Sequence, residues 1–267
     1  MSGVLLDWPR IHYKETGASP FLYYVVFGAN VDELRLSRSK YRCDAIPEGL
    51  EIMAYGPACH PEVLDDLRQG YLWKELLVQE SDLANVVAAQ TTCTVVRGFV
   101  VDDSSLNYLR NTVGLITSLL DNGGVAIFDA QSFKWWSAND WKTRIFEPAA
   151  PLSHEHVVIL VSEEPDDTQW LHTRGLRKFG RPDISIHNVP AAFCAAVVGM
   201  LNRFIEFQAL GGVIQEGQCV QLTSLPEGMY CTHGGSEDDP DFNNFHIEIK
   251  WPNSSLDADA SAMRRPA

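Results

Sequence analysis

Two long helical patterns, each followed by a glycine pair and then a strand pattern, constrain the fold of this chain most strongly. The helical patterns span residues 106–120 and 190–209, and the glycine pairs occupy positions 123–124 and 211–212. Apolar residues recur at helical spacing in the first pattern. A glycine pair can make the sharp turn from a helix back to a strand. The repeat predicts an α+β protein of two related helix-on-sheet units, with mixed or antiparallel sheets.

Each helical pattern also contains an internal glycine, Gly114 in the first and Gly199 in the second. Both follow a valine at similar points of the repeat. Because glycine has no side chain, we expect each of these positions to let its helix approach a sheet closely.

A proline-rich stretch at residues 147–151 is the best interior boundary, since prolines interrupt central helices and strands. We therefore predict an N-terminal unit over 1–150, a C-terminal unit over 151–252 and a flexible tail over 253–267. Apolar runs and alternating patterns predict strands at 21–27, 50–55, 93–101, 125–128, 133–136, 156–162, 170–173, 183–189, 219–222 and 245–251.

The chain is acidic along its whole length, with a formal net charge of −14 over 267 residues. Residues 1–150 carry 13 basic and 19 acidic side chains, and residues 151–267 carry 8 and 16. Such a balance disfavours sequence-independent binding to nucleic acid. The start of the chain shows no secretory pattern, and the longest nearly uncharged window of about 12 residues is too short to span a bilayer. We expect a cytoplasmic protein that does not bind a membrane, with its six cysteines reduced.

Residues 170–183, named here the cationic segment, hold four of the eight basic side chains found after residue 150. The candidate binding residues are its cations, one histidine and one carboxylate: His172, Arg174, Arg177, Lys178, Arg181 and Asp183. Guanidinium groups match carboxylates and phosphates in geometry, so the segment could hold an anion. The alternative, which we favour, is that Arg174 and Arg181 pair with Asp183, Glu206 or Glu216 and fix the structure of the second unit.

Acid–base chemistry could in principle use His172 or His187 with Asp183. If residues 183–189 form a strand, however, Asp183 and His187 lie about 13 Å apart, so the histidine would need another orienting group. No nucleophile motif accompanies them. His154 and His156, placed on one face of a strand, are too few for a zinc site. We expect no catalytic residue, no metal site and no cofactor.

An aromatic cluster near residue 135 is a second candidate binding region. Trp135 and Trp136 are neighbours in a predicted strand, so they point to opposite faces. We expect one ring in the core and the other partly exposed, where it could anchor a partner. The alternative is that helices cover both rings.

The motifs Thr-Arg-Gly-Leu, from Thr173, and Phe-Gly-Arg-Pro-Asp, ending at Asp183, resemble a bacterial family grouped only as a domain of unknown function. The resemblance spans roughly residues 90–252. It implies a bacterial, cytoplasmic α+β protein and transfers no activity.

Together these patterns favour a non-enzymatic, acidic cytoplasmic binding protein, immunity-like or an adaptor, that recognises a basic protein partner. The alternative is an enzyme acting on an anionic small molecule at the cationic segment, between Arg174 and Asp183. That alternative lacks a nucleophile or cofactor motif.

Overall fold

The computed structural model describes residues 5–29, 31, 34 and 36–252. It confirms the α+β class, with two separate sheets and helices packed on them. The tail predicted for residues 253–267 lies outside the described residues.

The first half forms the strands β1 Phe21–Phe27, β2 Glu51–Tyr55, β3 Cys93–Phe99, β4 Ala126–Asp129 and β5 Lys134–Ser137. The second half forms β6 Val158–Glu164, β7 Thr168–Arg174, β8 Asp183–Pro190, β9 Cys219–Val220, β10 Met229–Gly235 and β11 Phe245–Lys250. The α-helices are α1 Arg38–Tyr41, α2 Glu62–Leu67, α3 Gly70–Gln79, α4 Ser81–Ala88, α5 Asn107–Asp121, α6 Ala138–Asp140, α7 Ser153–His156 and α8 Cys194–Ala209. A π-helix spans Trp141–Phe146, and 3-10 turns span Leu176–Phe179 and Ala191–Phe193.

The first sheet has the order β2-β3-β1-β4-β5 and is antiparallel throughout. Its central strand β1 is buried on both faces, which explains its unbroken apolar sequence. Leu22, Tyr24 and Val26 face the main core with α5, whereas Val25 and Phe27 face a smaller cluster under α2, α3 and α4.

The second sheet has the order β6-β7-β8-β11-β10-β9. Strands β8 and β11 run parallel and the other neighbours antiparallel, so the sheet is mixed. Ile184, Ile186, Ile247 and Ile249 place its apolar face in the main core, against α8. Side chains alternate along β8 and β11, so their polar residues lie on the opposite face.

The main core contains buried residues from both sheets and both long helices. The π-helix ends at Phe146, and α7 begins at Ser153, so the proline-rich stretch connects two regular elements as expected. Both predicted units contribute to this one core. The boundary at residue 150, as a division between two independently folding units, stays a prediction.

The two glycine pairs end their helices in the same way. Gly123 and Gly211 have φ of +94° and +91°. In each pair the second glycine donates its N–H to the carbonyl five residues earlier, at 3.0 Å for Gly124 and 2.8 Å for Gly212. This is the glycine-dependent bond that terminates many helices.

The expectation for the internal glycines is wrong. A Cβ on Gly114 would collide with the carbonyl oxygen of Tyr41. This glycine therefore lets α1, rather than a sheet, pack closely against α5. Gly199 is exposed, and nothing lies within 4 Å of the position that its Cβ would take. The two helices therefore share their endings but not their packing at this glycine.

A second correction concerns residues 153–157. His154 and His156 lie in the short helix α7, and β6 begins only at Val158. Lys134 holds this turn by donating from Nζ to the carbonyl oxygens of His154 and Glu155, at 3.0 and 2.9 Å.

Candidate functional site

The cationic segment leaves β7, makes the 3-10 turn Leu176–Phe179 and enters β8, packed against both β1 and α8. Gly175 and Gly180 flank the turn with φ of +117° and +62°. A Cβ on Gly175 would lie 2.6 Å from the carbonyl oxygen of His156. The turn therefore requires glycine there both for its dihedral angle and for this close approach.

Lys178 is fully buried and forms an ion pair with Asp129 at the end of β4. The other carboxylate oxygen of Asp129 accepts the backbone N–H groups of Gln131 and Ser132, at 3.1 and 3.3 Å. Burial lowers the pKa of Lys178, and the charge of Asp129 opposes that shift. The ion pair joins the first sheet to the cationic segment and leaves Lys178 closed to an external anion.

Arg181 is also buried, and its guanidinium is occupied by the chain itself. It donates to four backbone carbonyl oxygens, those of Gly180 (2.8 Å), Lys14 (2.8 Å), Gly211 (2.9 Å) and Gly212 (3.1 Å). It also contacts the Asp102 carboxylate at 3.3 Å. Arg181 thereby connects the start of the chain to the end of α8.

Asp102 lies between two guanidinium groups, since its second oxygen accepts from Arg10. Arg10 is buried as well, and it donates to the carbonyl oxygens of Phe179 at 2.8 Å and Ala209 at 3.3 Å. Sequence reasoning missed Arg10, because its partners lie far along the chain. Arg10, Asp102 and Arg181 form one internal network.

Asp183 is buried at the start of β8 and accepts three hydrogen bonds. The donors are the Thr173 hydroxyl (2.9 Å), the Asn244 amide (2.8 Å) and the Leu176 backbone N–H (3.2 Å). Burial nevertheless raises the pKa of Asp183 to about 6, because these hydrogen bonds and the charge of Arg174 only partly replace water.

Arg174 is buried at the end of β7. Its guanidinium donates to the carbonyl oxygen of Asp241 and lies 4.5 Å from the ring centre of Phe133. Burial lowers its pKa, and the nearby Asp183 charge opposes the shift. Arg174 therefore holds the 236–244 loop against the second sheet.

Arg177 differs from the other three cations. Its Nη1 donates to the carbonyl oxygen of Asn243 at 2.5 Å, and its Nη2 lies 3.7 Å from the exposed carboxylate of Glu237. The guanidinium lies over the rings of Phe21 and Phe99, at 5.0 and 5.6 Å. Within the described part of the chain, no buried carboxylate faces it. It lines a wide cleft.

That cleft has a volume of about 590 Å³ and lies between residues 16–19, the cationic segment and the strands β10 and β11. Its apolar wall includes Phe99, Pro182, Val213, Ile214 and Phe245. Its polar wall includes Arg177, Gln208, His233, Glu237, Asn244 and His246. The size is typical of small-molecule sites, which span roughly 300–1,000 Å³.

His172 lies on the polar face of the second sheet in a row of stacked rings. Its ring lies 4.0 Å from that of Trp170, which in turn lies 4.9 Å from that of His187. The ring of Phe242 lies 5.5 Å from that of His172 and is nearly perpendicular to it. Burial lowers the pKa of His172 to about 4, with Arg174 adding to the shift. His172 is a neutral, packed side chain at pH 7.

His187 and Asp183 have different partners, so they form no acid–base pair. The Nδ1 of His187 contacts Glu164 at 2.6 Å, and Glu164 also accepts the backbone N–H of Asn188. From the sequence, His187 needed another orienting group, and the structure places Glu164 in that position. No group of three or more His, Cys, Asp or Glu side chains in the described residues is arranged to hold a metal ion.

Trp135 and Trp136 point to opposite faces of the first sheet, as expected. Trp136 is buried in the main core, 6.3 Å from the ring of Trp141. Trp135 is half-buried in the smaller cluster, stacked on Phe128 at 4.5 Å and close to Trp73 of α3 at 6.0 Å. Trp73 of α3 thus covers part of the less buried ring, and Trp135 also lines a cleft between α3 and β5.

The outer surface of α3 and α4 combines exposed apolar side chains with carboxylates. In α3, Val78 and Tyr71 are 85% and 74% exposed, and they lie seven residues apart on one helix face. In α4, Val86 is exposed beside a hollow that it shares with Glu80 and Asp82. Residues 61–90 carry six acidic and two basic side chains. Sequence patterns alone did not single out this surface.

Two histidines, His233 and His246, line the cleft on neighbouring strands. They lie on β10 and β11, and β10 has no clear apolar alternation in its Thr-His-Gly-Gly end.

No helix among the described residues is both long and apolar enough to cross a membrane. Comparisons with protein-family models, curated proteins and solved structures find no match for the chain.

Proposed function

We propose that the chain is a non-enzymatic cytoplasmic binding protein, of an immunity or adaptor type, that recognises a basic protein partner. The surface that would contact the partner is the outer face of α3 and α4, named here the acidic helical face. One observation carries the proposal. This face exposes large apolar residues beside carboxylates, whereas three of the four cations of the cationic segment are buried and bonded to groups of the same chain.

The apolar part of the acidic helical face supplies anchors. Val78 and Tyr71 stand on a helix whose opposite side, with Leu76 and Trp73, already packs in the smaller cluster. Their exposure is therefore not needed for folding. Exposed apolar residues grouped on one face and surrounded by charges are typical of protein interaction sites.

The acidic part determines the class of partner. Glu80 and Asp82 are exposed where α3 meets α4, and Glu62, Asp65 and Asp66 are exposed on the preceding helix α2. The guanidinium of Arg68 turns inward and donates to the carbonyl oxygens of Val87 and Gln90. Lys74 is exposed on α3, but acidic side chains outnumber basic ones six to two over residues 61–90. A partner with lysine and arginine around an apolar centre is complementary to this arrangement.

Affinity purification with the intact chain as bait tests the proposal. We expect a partner with an isoelectric point above about 9, recovered in stoichiometric amount and released by high salt, because screening weakens attraction between exposed charges. The decisive bait is the double variant Tyr71→Ser with Val78→Ser, which removes both anchors. It should reduce recovery at least about tenfold, as expected for central contacts worth more than about 1 kcal/mol each.

The matched control bait is Ile11→Ser with Val101→Ser, since these residues are 72% and 67% exposed elsewhere on the chain. It should recover the partner as the unmodified chain does. Equal losses with both double variants, or a recovered partner that is acidic, would contradict the proposal.

The alternative, an enzyme acting on an anionic small molecule at the cationic segment, has weaker support. Arg174, Lys178 and Arg181 meet the chain's own carbonyls and carboxylates. Of the four cations of the segment, Arg177 alone retains hydrogen-bonding capacity towards a cleft among the described residues.

A further inference from the structure

The cleft beside Arg177 has the features of a small-molecule site, separate from the acidic helical face. Its volume of about 590 Å³ suits a compact organic molecule. Most of its exposed wall is apolar, with a few polar groups placed among the apolar ones. This composition matches sites that take up a flat or compact apolar body and orient it by a few hydrogen bonds.

Arg177 supplies the charge that such a molecule would meet. Its planar group is held over Phe21 and Phe99 and anchored at one nitrogen by the carbonyl oxygen of Asn243. The described residues offer its other nitrogens only Glu237, at 3.7 Å and largely exposed. A guanidinium fixed in this way presents a preorganised fork for a carboxylate.

Gln208 adds an unmet hydrogen-bonding group in the wall. It is fully buried, and its amide Nε2 donates to the carbonyl oxygen of Pro182 at 3.1 Å. That bond fixes which end of the amide is oxygen, and Oε1 has no donor among the described residues. Because Oε1 is itself closed to solvent, a ligand in the cleft would meet Arg177 rather than this amide.

We propose that this cleft binds a small monocarboxylate with an aromatic or similarly flat apolar body, through a charged hydrogen bond from Arg177. A single negative charge is favoured over a dianion, because Glu237 stands at the rim and the chain is strongly acidic overall. The site is independent of the partner surface, because the lining of the cleft and the acidic helical face share no residue.

Equilibrium titration with 2-naphthoate and its neutral counterpart 2-naphthamide tests the proposal. The unmodified chain should bind 2-naphthoate saturably at one site and 2-naphthamide about tenfold more weakly, the ratio expected for one charge-assisted hydrogen bond. Arg177→Gln should bring the two affinities close together. Arg203→Gln, which removes an exposed charge on α8, should leave the ratio unchanged.

A second variant tests the location without altering the charge. Ser19 is exposed and lines the cleft, so Ser19→Trp should fill the space and weaken both probes. Three results would overturn the proposal: a preference for the carboxylate that persists in Arg177→Gln, binding that is unaffected by Ser19→Trp, or no saturable binding of 2-naphthoate up to about 5 mM. None of these outcomes bears on whether the acidic helical face binds a protein.

Discussion

The ion pair between Lys178 and Asp129 is the most direct link between the cationic segment and the first sheet, and removing one partner should be costly. Both side chains are buried, so the remaining charge would lose its hydrogen-bonded counter-ion and have no water. It would keep only the weaker attraction of a more distant group, which is Lys134 for Asp129 and Asp183 for Lys178. From the sequence, Lys178 was a candidate for binding an external anion. The structure gives it an internal role in folding instead.

Each single variant can neutralise its remaining buried charge by gaining or losing a proton. The free-energy cost of that change sets the expected loss of stability. In Lys178→Met the carboxyl group can take up a proton, which at pH 7 costs an ordinary carboxyl about 4 kcal/mol. In Asp129→Asn the amine can lose its proton, which at pH 7 costs an ordinary lysine roughly 4–5 kcal/mol. Both values agree with the cost of breaking a buried pair, which is typically about 3–5 kcal/mol.

The double variant Lys178→Met with Asp129→Asn leaves no charge behind. The amide oxygen of the introduced asparagine would still accept the turn hydrogen bonds now made by Asp129. The double variant should therefore recover at least about 2 kcal/mol relative to the sum of the single variants. Urea unfolding at pH 7, followed by tryptophan fluorescence and by circular dichroism, gives the free energies of unfolding. Single variants that lose less than about 1 kcal/mol, or a double variant that loses the plain sum, would refute the reasoning.

Two further predictions concern the helices and the buried histidine. Gly114→Ala should destabilise the chain by at least about 2 kcal/mol because its Cβ collides with Tyr41, whereas Gly199→Ala should stabilise it by about 0.5–1 kcal/mol, since alanine favours an exposed helix. Thermal unfolding compares the pair, and similar effects at both sites would be inconsistent with the packing described. The pKa of His172 falls from about 6.5 unfolded to about 4 folded, so its contribution to stability is present above pH 6.5 and is lost as the pH falls towards 4. Between pH 7 and pH 4 the unmodified chain should thus lose about 3 kcal/mol more than His172→Phe in urea unfolding, and parallel pH profiles would contradict this.

The elements with strong local patterns were predicted well from the sequence. The apolar run of β1 and the helical spacing of α5 indicated bounds close to those observed. The glycine pair after α5 also predicted its ending correctly, because the dihedral requirement is local. Such features need no knowledge of the rest of the fold.

Elements whose stability comes from distant contacts were missed or misassigned. His154 and His156 alternate as in a strand, yet they lie in α7, where Lys134 binds the turn from a different strand. Strand β10 has only two inward apolar residues, Met229 and Cys231, and it forms because it pairs with β11 from Tyr230 onwards. Local sequence does not report such pairings.

The same distinction applies to the candidate site. The preference for a structural role agrees with the internal partners of Lys178 and Arg181. The predicted partners Glu206 and Glu216 were wrong, because the carboxylate that Arg181 contacts belongs to Asp102. Local sequence does not identify these partners, since Asp129 lies 49 residues from Lys178 and Asp102 lies 79 residues from Arg181 in the chain. Arg177 and Arg181 both line the cleft, and only the fold shows that the guanidinium of Arg181 is occupied by backbone carbonyl oxygens.

Hydrogen–deuterium exchange on the complex with the captured partner is the most direct test of the central claim. We predict slower exchange in α3 and α4, from Gly70 to Ala88, and no change at the 3-10 turn Leu176–Phe179. Slower exchange at that turn, with α3 and α4 unchanged, would show that the cationic segment recognises the partner and would contradict the claim.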